Sequence, residues 1–180
     1  MTRRHLVLVP GADFGPYHPL LFLAVMAARD RGMDINAMAW DDDPPAEGED
    51  EERSDWVNER VESVLIDDVD TEPMLVGRSL GSYAAVVAAT RELPAIWFTP
   101  LLDQPSVVNA LESATAPVLL VGGTGDPAWD GDLARRVTKY VVEIPHANHG
   151  FRVPGQPLTA FANDMGTAAT AVENFMDASW

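Results

Sequence analysis

Short apolar runs alternate with longer amphipathic stretches along this sequence. Six runs rich in branched and aromatic residues have the length and composition of β-strands, at 5–10, 35–40, 73–78, 95–100, 116–123 and 140–145. Their apolar residues are nearly continuous instead of alternating with polar ones, which is typical of parallel strands buried on both faces. The pattern therefore predicts a six-stranded, mainly parallel sheet.

The stretches that separate and follow these runs carry apolar residues at helical spacing. We predict helices at 19–32, 54–68, 80–93, 106–113, 130–139 and 157–179. Pro19 falls in the first turn of its helix and Gly32 ends it, as helix boundaries commonly require. Strand and helix alternate along all 180 residues, so we expect one α/β domain over 1–180, a doubly wound sheet with helices on both faces.

The residues just after each predicted strand are the candidates for chemistry, because parallel sheets bind ligands beyond the carboxyl ends of their strands. Ser79 follows the third strand, Asp103 the fourth and Asp126 the fifth, while both His146 and His149 follow the sixth. A serine hydroxyl becomes a useful nucleophile when a base lies in hydrogen-bond reach and a carboxylate orients that base. The chain order predicts such a set, with two candidates each for the acid and the base.

Ser79 lies between two glycines in the pattern G-x-S-x-G. The pattern alone arises by chance in roughly one chain in twenty of this length. Its place at a strand-to-helix turn is more informative, since Gly77 and Gly81 relieve crowding where a serine is held out from the sheet. The oxyanion formed by attack needs two N–H donors, and the backbone amides of Ala12 and Leu80 are the expected pair.

Four short motifs together resemble those of the α/β-hydrolase superfamily. "GRSLGS" (77–82) resembles its nucleophile elbow, "GGTGDP" (122–127) its acid-bearing turn, "HGF" (149–151) its histidine loop and "VPGA" (9–12) its oxyanion loop. The likeness extends over most of the chain, through the histidine loop, and includes the last helix. It is strongest toward compact, lidless hydrolases of the dienelactone-hydrolase kind.

The resemblance implies a serine hydrolase in which Ser79 is the nucleophile, His149 the base and Asp126 the orienting acid. An open cleft without a lid suits a small carboxylic ester, lactone or thioester. No cofactor is implied, and the expected partner is a small-molecule acyl substrate. Acyl transfer or cyclisation on the same fold, or a non-catalytic small-molecule-binding module, are alternatives that the sequence leaves open.

Two features depart from the superfamily pattern. Pro10 stands where many relatives have a histidine before the oxyanion glycine. The predicted elements do not include the first two antiparallel strands common in the superfamily, nor a lid insertion. Arg78, next to the serine, is expected to point away from the cleft and to have no catalytic part.

Several residues near the strand ends are candidates for contacts with the substrate. Asp13 in the oxyanion loop and Trp129 after the acid turn are expected to bind it, and Trp40 is a further candidate for the pocket wall. The alternative for each aromatic residue is a plain core position. His146 and His149 lack a third convincing ligand, so no metal site is predicted.

The formal net charge of -16 disfavours nucleic acid and anionic membranes as partners. Nine acids and one arginine fall in 41–55, which we interpret as a solvated loop, with a docking surface for a cation as the alternative. The absence of cysteine excludes disulfides and thiolate chemistry. Neither a secretory h-region nor a membrane span is predicted, so a cytoplasmic location is expected.

Overall fold

The six strands of the sheet all run parallel. In the computed structural model, which describes residues 3–13, 15–65 and 70–179, they are β1 Arg3–Val9, β2 Asp34–Ala37, β3 Thr71–Arg78, β4 Ala95–Phe98, β5 Val118–Gly123 and β6 Tyr140–Ile144. Their order across the sheet is β2-β1-β3-β4-β5-β6. The parallel α/β sheet predicted from the sequence is confirmed.

Helices cover both faces of this sheet. They are α1 Pro19–Asp30, α2 Asp50–Val64, α3 Ala85–Thr90, α4 Pro105–Ser113, α5 Gly131–Val137 and α6 Leu158–Ser179, with 3-10 turns at Gly15–Tyr17 and Ser79–Ala84. One buried cluster packs α1 and α6 on the sheet, and a second packs α2, α3, α4 and α5 on the opposite face. This is the doubly wound arrangement that the sequence predicts. Within the described residues, no helix is long and apolar enough to cross a membrane.

Helix α2 begins earlier than the sequence predicts. Its first residue is Asp50 instead of position 54, and the predicted helical positions 66–68 lie outside the described residues. Its first turn holds acidic side chains, which the helix dipole stabilises. Asp50 also accepts hydrogen bonds from the backbone N–H and the hydroxyl of Ser106 in α4, at 3.0 and 2.7 Å. The end of the acidic stretch is therefore part of a helix and not of a solvated loop.

Strand β2 and the helix after β3 also differ from the prediction. Strand β2 ends at Ala37 instead of position 40, so Trp40 belongs to the loop that follows the strand. The helix predicted over 80–93 is a 3-10 turn followed by the short helix α3. A tight 3-10 start is common where an α-helix begins.

The order of the strands explains where a site can form. The chain leaves β1 through α1 toward β2 on one side, and it leaves β3 through α3 toward β4 on the other. Connections that diverge from two adjacent strands open a crevice between their carboxyl ends, where α/β proteins bind ligands. Gly11 follows β1 and Ser79 follows β3, so both lie at this crevice.

Close packing at the turn after β3 leaves no room for side chains at its two glycines. A Cβ at Gly77 would lie 2.6 Å from the Trp97 ring and 2.7 Å from the Gly81 carbonyl oxygen. A Cβ at Gly81 would overlap the Val9 carbonyl oxygen and lie 2.8 Å from that of Pro10. The start of the helix therefore packs directly on the end of β1, and this contact requires glycine.

His18 caps helix α1 with its imidazole. Its Nδ1 accepts a hydrogen bond from the backbone N–H of Leu20, at 3.3 Å. Burial lowers the pKa of His18 to about 4, and the neighbouring Arg78 and His149 act in the same direction. The cap requires a neutral ring, because Nδ1 accepts a hydrogen bond only when it carries no proton.

Gly81→Ala is expected to destabilise the protein. The added methyl group meets backbone oxygens that cannot rotate away, so we expect the free energy of unfolding to fall by about 1–3 kcal/mol. The matched control is Gly166→Ala in α6, where no heavy atom lies within 4 Å of the new Cβ. There the same change should stabilise the helix by about 0.5–1 kcal/mol. Urea unfolding measures the free energy of unfolding of both variants. A Gly81→Ala variant as stable as the wild type would contradict the packing described for Gly81.

His18→Asn is expected to reduce the loss of stability in mild acid. The unfolded chain binds the His18 proton near pH 6.5 and the folded protein only near pH 4, so between these values acid favours unfolding. Asparagine keeps an acceptor for the Leu20 N–H but does not titrate. Urea unfolding at about pH 7.5 and about pH 5 measures the free energy of unfolding of both proteins. Relative to the wild type, the variant should be more stable at the lower pH than at the higher one. A difference that is the same at both pH values would show that His18 titrates normally.

Candidate active site

Ser79 lies where β3 ends and the 3-10 turn begins, with φ at +52°. A non-glycine residue with positive φ is strained, and such strain is concentrated at functional sites. Ser82 braces the turn, because its hydroxyl donates to the Ser79 carbonyl oxygen at 2.7 Å and accepts from the Leu101 N–H at 3.1 Å. Ser82 is itself fully buried. The strained turn is thus held from inside the protein.

Three side chains from three strand ends meet in one hydrogen-bonded row. His149 Nε2 lies 2.8 Å from Ser79 Oγ, and His149 Nδ1 lies 2.8 Å from Asp126 Oδ2. The Asp126 side chain is only 1% exposed, whereas that of His149 is 36% exposed. When Nδ1–H donates to the carboxylate, Nε2 presents its lone pair to the serine hydroxyl. The row therefore has the geometry in which a histidine can accept the serine proton.

The Asp126 carboxylate has a second fixed partner. Its Oδ1 accepts a hydrogen bond from the Ala128 N–H at 3.0 Å, within the turn that follows β5. Asp103, the other candidate acid, is exposed on the wall of the neighbouring cleft, and His146, the other candidate base, is exposed as well. The structure thus brings Asp126 and His149 to Ser79 and leaves the two alternatives at the surface.

The loop after β1 lies against the elbow. A Cβ at Gly11 would be 3.4 Å from the Ser79 Cβ and 3.4 Å from the Arg78 carbonyl oxygen. Ala12 follows at the exposed tip of this loop, and Leu80 follows the serine and is buried. The two amides expected as oxyanion donors therefore belong to segments that meet at the serine.

Arg78 connects the loops on either side of the serine. It is 7% exposed, and its Nη2 donates to the His149 carbonyl oxygen at 3.2 Å. Its Nη1 lies 3.0 Å from the position of a Gly11 Cβ. Burial lowers the pKa of Arg78, and the carboxylates of Asp13 and Asp126 oppose that shift. The side chain is turned into the protein, between the oxyanion loop and the histidine loop.

Trp129 is placed differently from what the sequence suggests. Its indole N–H donates to the Glu143 carboxylate at 2.7 Å, and its ring covers Gly122, where a Cβ would overlap it. The side chain packs over β5 and β6 and does not line the cleft beside His149, so these contacts give no support to the expectation that Trp129 binds the substrate. Gly122 is the residue that makes room for it.

Asp13 keeps a position at the rim of the site. It is exposed in the oxyanion loop, and its carboxylate is close enough to Arg78 to act on the pKa of that side chain. Phe14, the next residue, lies outside the described residues. Contact between Asp13 and a substrate therefore stays a prediction.

A cleft of about 300 Å³ opens beside the histidine. Its walls include Glu47, Arg53 and Asp103, together with Asp126 and His149. The volume is at the lower limit of ligand pockets in proteins. Among the residues that the structure describes, no three His, Asp or Glu side chains are grouped to bind a metal ion.

The sequence did not predict the contacts by which Ser82, Arg78 and Trp40 organise this site. Ser82 is the second serine of "GRSLGS", and its spacing of three from Ser79 is a local signal for a hydroxyl that bonds to the turn. Arg78 and Trp40 contact residues that are far away in the sequence, and no local sequence pattern predicts those contacts. Trp40 donates its indole N–H to the Gly11 carbonyl oxygen at 3.0 Å.

Comparison with known proteins identifies the fold through structure and not through sequence. No family model matches the chain, and no curated protein is similar to it in sequence. Solved structures match over almost its full length. Est1E from Butyrivibrio proteoclasticus is 14% identical with a TM-score of 0.71, and the alignment covers 99% of this chain and 88% of that one.

Two further neighbours are hydrolases by their descriptions. XC6422 from Xanthomonas campestris, an α/β serine hydrolase without a lid, is 16% identical with a TM-score of 0.59, over 97% of this chain and 84% of that one. Dienelactone hydrolase from Anabaena variabilis is 20% identical with a TM-score of 0.58, over 94% and 85% of the two chains. The resemblance found in the sequence is thus confirmed at the level of architecture, and this chain has the α/β-hydrolase fold.

Proposed function

We propose that this protein is a serine hydrolase that cleaves a small carboxylic ester, lactone or thioester through an acyl-enzyme. The observation that carries the proposal is the position of His149, whose two ring nitrogens lie 2.8 Å from Ser79 Oγ and 2.8 Å from Asp126 Oδ2. Neighbours of the same fold that are serine hydrolases support it.

Acylation begins with attack of Ser79 Oγ on the carbonyl carbon of the substrate. The hydroxyl proton passes to His149 Nε2, and Asp126 stabilises the imidazolium through its hydrogen bond with Nδ1–H. The carbonyl oxygen becomes an oxyanion, for which the backbone N–H groups of Ala12 and Leu80 are the donors. When the tetrahedral intermediate collapses, the bond to the leaving oxygen or sulfur breaks and that atom takes the proton from Nε2. An ester or thioester then releases an alcohol or thiol, whereas the hydroxyl of an opened lactone stays attached to the acyl group.

Deacylation repeats the chemistry with water. His149 Nε2 accepts a proton from a water molecule, whose oxygen attacks the acyl carbon and forms a second oxyanion in the same place. Collapse of this intermediate breaks the bond to Ser79 Oγ and returns the proton to it. The free enzyme and a carboxylic acid result.

The charge around the cleft disfavours anionic substrates. The cleft of about 300 Å³ lies on the Asp126 and His149 side of the site, and the exposed side chains of Glu47 and Asp103 belong to its wall. Acidic side chains outnumber Arg53 there, and the formal net charge of the chain is -16. Repulsion then disfavours polyanionic substrates relative to neutral ones.

An active-site probe tests the proposal directly. A fluorophosphonate should label wild-type protein at Ser79, because His149 makes that hydroxyl nucleophilic. Ser79→Ala should abolish labelling, and His149→Ala should lower both labelling and ester turnover by about 10⁴–10⁶-fold. Ser113→Ala, at an exposed serine of α4, is the matched control and should react like the wild type. Folded wild-type protein that is not labelled would overturn the proposal.

The two candidate acids can be separated by matched substitutions. Asp126→Asn leaves the wrong histidine tautomer facing the serine and should lower kcat by about 10⁴-fold. Asp103→Asn, on the exposed cleft wall, should change kcat by less than about threefold, because it does not contact the histidine row. Steady-state hydrolysis of p-nitrophenyl acetate measures both. If the two effects were reversed, Asp103 would be the orienting acid.

A further inference from the structure

We propose that Trp40 is a positioning residue for the oxyanion hole. The inference rests on the proposed function and assigns a role that the side chain performs without touching the substrate. Trp40 Nε1–H donates to the Gly11 carbonyl oxygen at 3.0 Å, and Gly11 shares its peptide unit with Ala12, whose N–H is the donor expected for the oxyanion. One hydrogen bond therefore acts on the orientation of the other.

The geometry of a peptide unit explains this coupling. A trans peptide is planar, and its C=O and N–H groups point in opposite directions. The peptide bonds of the described chain contain no cis form, so the Gly11–Ala12 unit is trans. When the indole holds the Gly11 carbonyl on one side, the Ala12 N–H is directed to the opposite side. Rotation of the peptide unit would break the indole hydrogen bond and would also turn the Ala12 N–H away from the oxyanion.

The indole of Trp40 packs against Trp56 of α2, with the two ring planes tilted by 54°. Its ring centroid lies 4.8 Å from that of Trp56, and the guanidinium of Arg60 lies 4.0 Å from the Trp56 centroid on the ring face. Arg60 donates to both carboxylate oxygens of Asp42, at 2.9 and 3.0 Å. Aromatic and cation–π contacts of this kind favour the observed orientation of the rings. In this orientation the Trp40 donor nitrogen faces the Gly11 carbonyl oxygen.

The remaining sides of Gly11 are also constrained. Pro10 precedes it with a fixed φ, and Arg78 Nη1 lies 3.0 Å from the position of a Gly11 Cβ. Trp40 adds a hydrogen bond to the Gly11 carbonyl oxygen from the loop after β2.

Trp40→Phe tests the inference, because phenylalanine keeps an aromatic ring to pack against Trp56 but has no N–H to donate to Gly11. We expect kcat for p-nitrophenyl acetate to fall about 10-fold or more, toward the roughly 10²–10³-fold that loss of one oxyanion donor costs. KM should change little, since the oxyanion forms in the tetrahedral intermediates and the transition states that flank them and not in the bound substrate. The Ki of a trifluoromethyl ketone, which forms an oxyanion on the serine, should rise in parallel. Trp129→Phe is the matched control, because it removes an indole N–H that bonds to Glu143.

The possible outcomes separate this inference from the hydrolase proposal. Turnover in the wild type, with equal kcat in Trp40→Phe and Trp129→Phe, would overturn the role of Trp40 and leave the hydrolase intact. A folded wild type with neither turnover nor labelling would overturn both. If Trp40→Phe does not fold, benzothienylalanine at position 40 replaces the N–H by sulfur in a ring of the same shape. That protein should show the same loss of kcat, and wild-type kcat would contradict the inference.

Discussion

Backbone contact between the end of β1 and the helix that follows β3 is the constraint on which the candidate site depends. Gly81 packs on the Val9 carbonyl oxygen, and Gly11 lies so close to the elbow that its Cβ would be 3.4 Å from that of Ser79. This contact brings the oxyanion loop and the nucleophile together without help from a ligand. Ser79 has a φ of +52° at this turn, and the hydroxyl of the buried Ser82 holds its carbonyl oxygen in that strained conformation.

A buried carboxylate is the second requirement of the site. Removing a charge from water is costly unless hydrogen bonds replace the lost solvation, and Asp126 obtains them from the Ala128 N–H and from His149. The buried guanidinium of Arg78 lies near enough for the carboxylate to act on its pKa. The same bonds that stabilise Asp126 therefore orient the histidine toward the serine. Stability and chemistry depend on one set of contacts at this corner of the fold.

The parallel sheet is predictable because strand periodicity is a local property, and parallel strands bring Ser79 and the candidate acids and bases to one edge. The choice of Asp126 and His149 over Asp103 and His146 came from the resemblance to the α/β-hydrolase superfamily. Side-chain directions in loops are not local. Trp40 and Trp129 follow strands in similar sequence contexts, yet one indole donates to Gly11 and the other to Glu143. Only tertiary packing distinguishes them. The start of α2 within the acidic stretch was missed for a related reason, since its acids are stabilised by the helix dipole and by α4.

The central claim is that Ser79 carries the acyl group during turnover. Acid quenching of the wild-type protein within milliseconds of mixing with p-nitrophenyl acetate, followed by peptide mass spectrometry, measures this directly. We expect an acetyl group on Ser79 in the elbow peptide, together with a burst of p-nitrophenol equal to the amount of enzyme. Steady release of p-nitrophenol with no acyl group on Ser79, or no release from the folded protein, would contradict it.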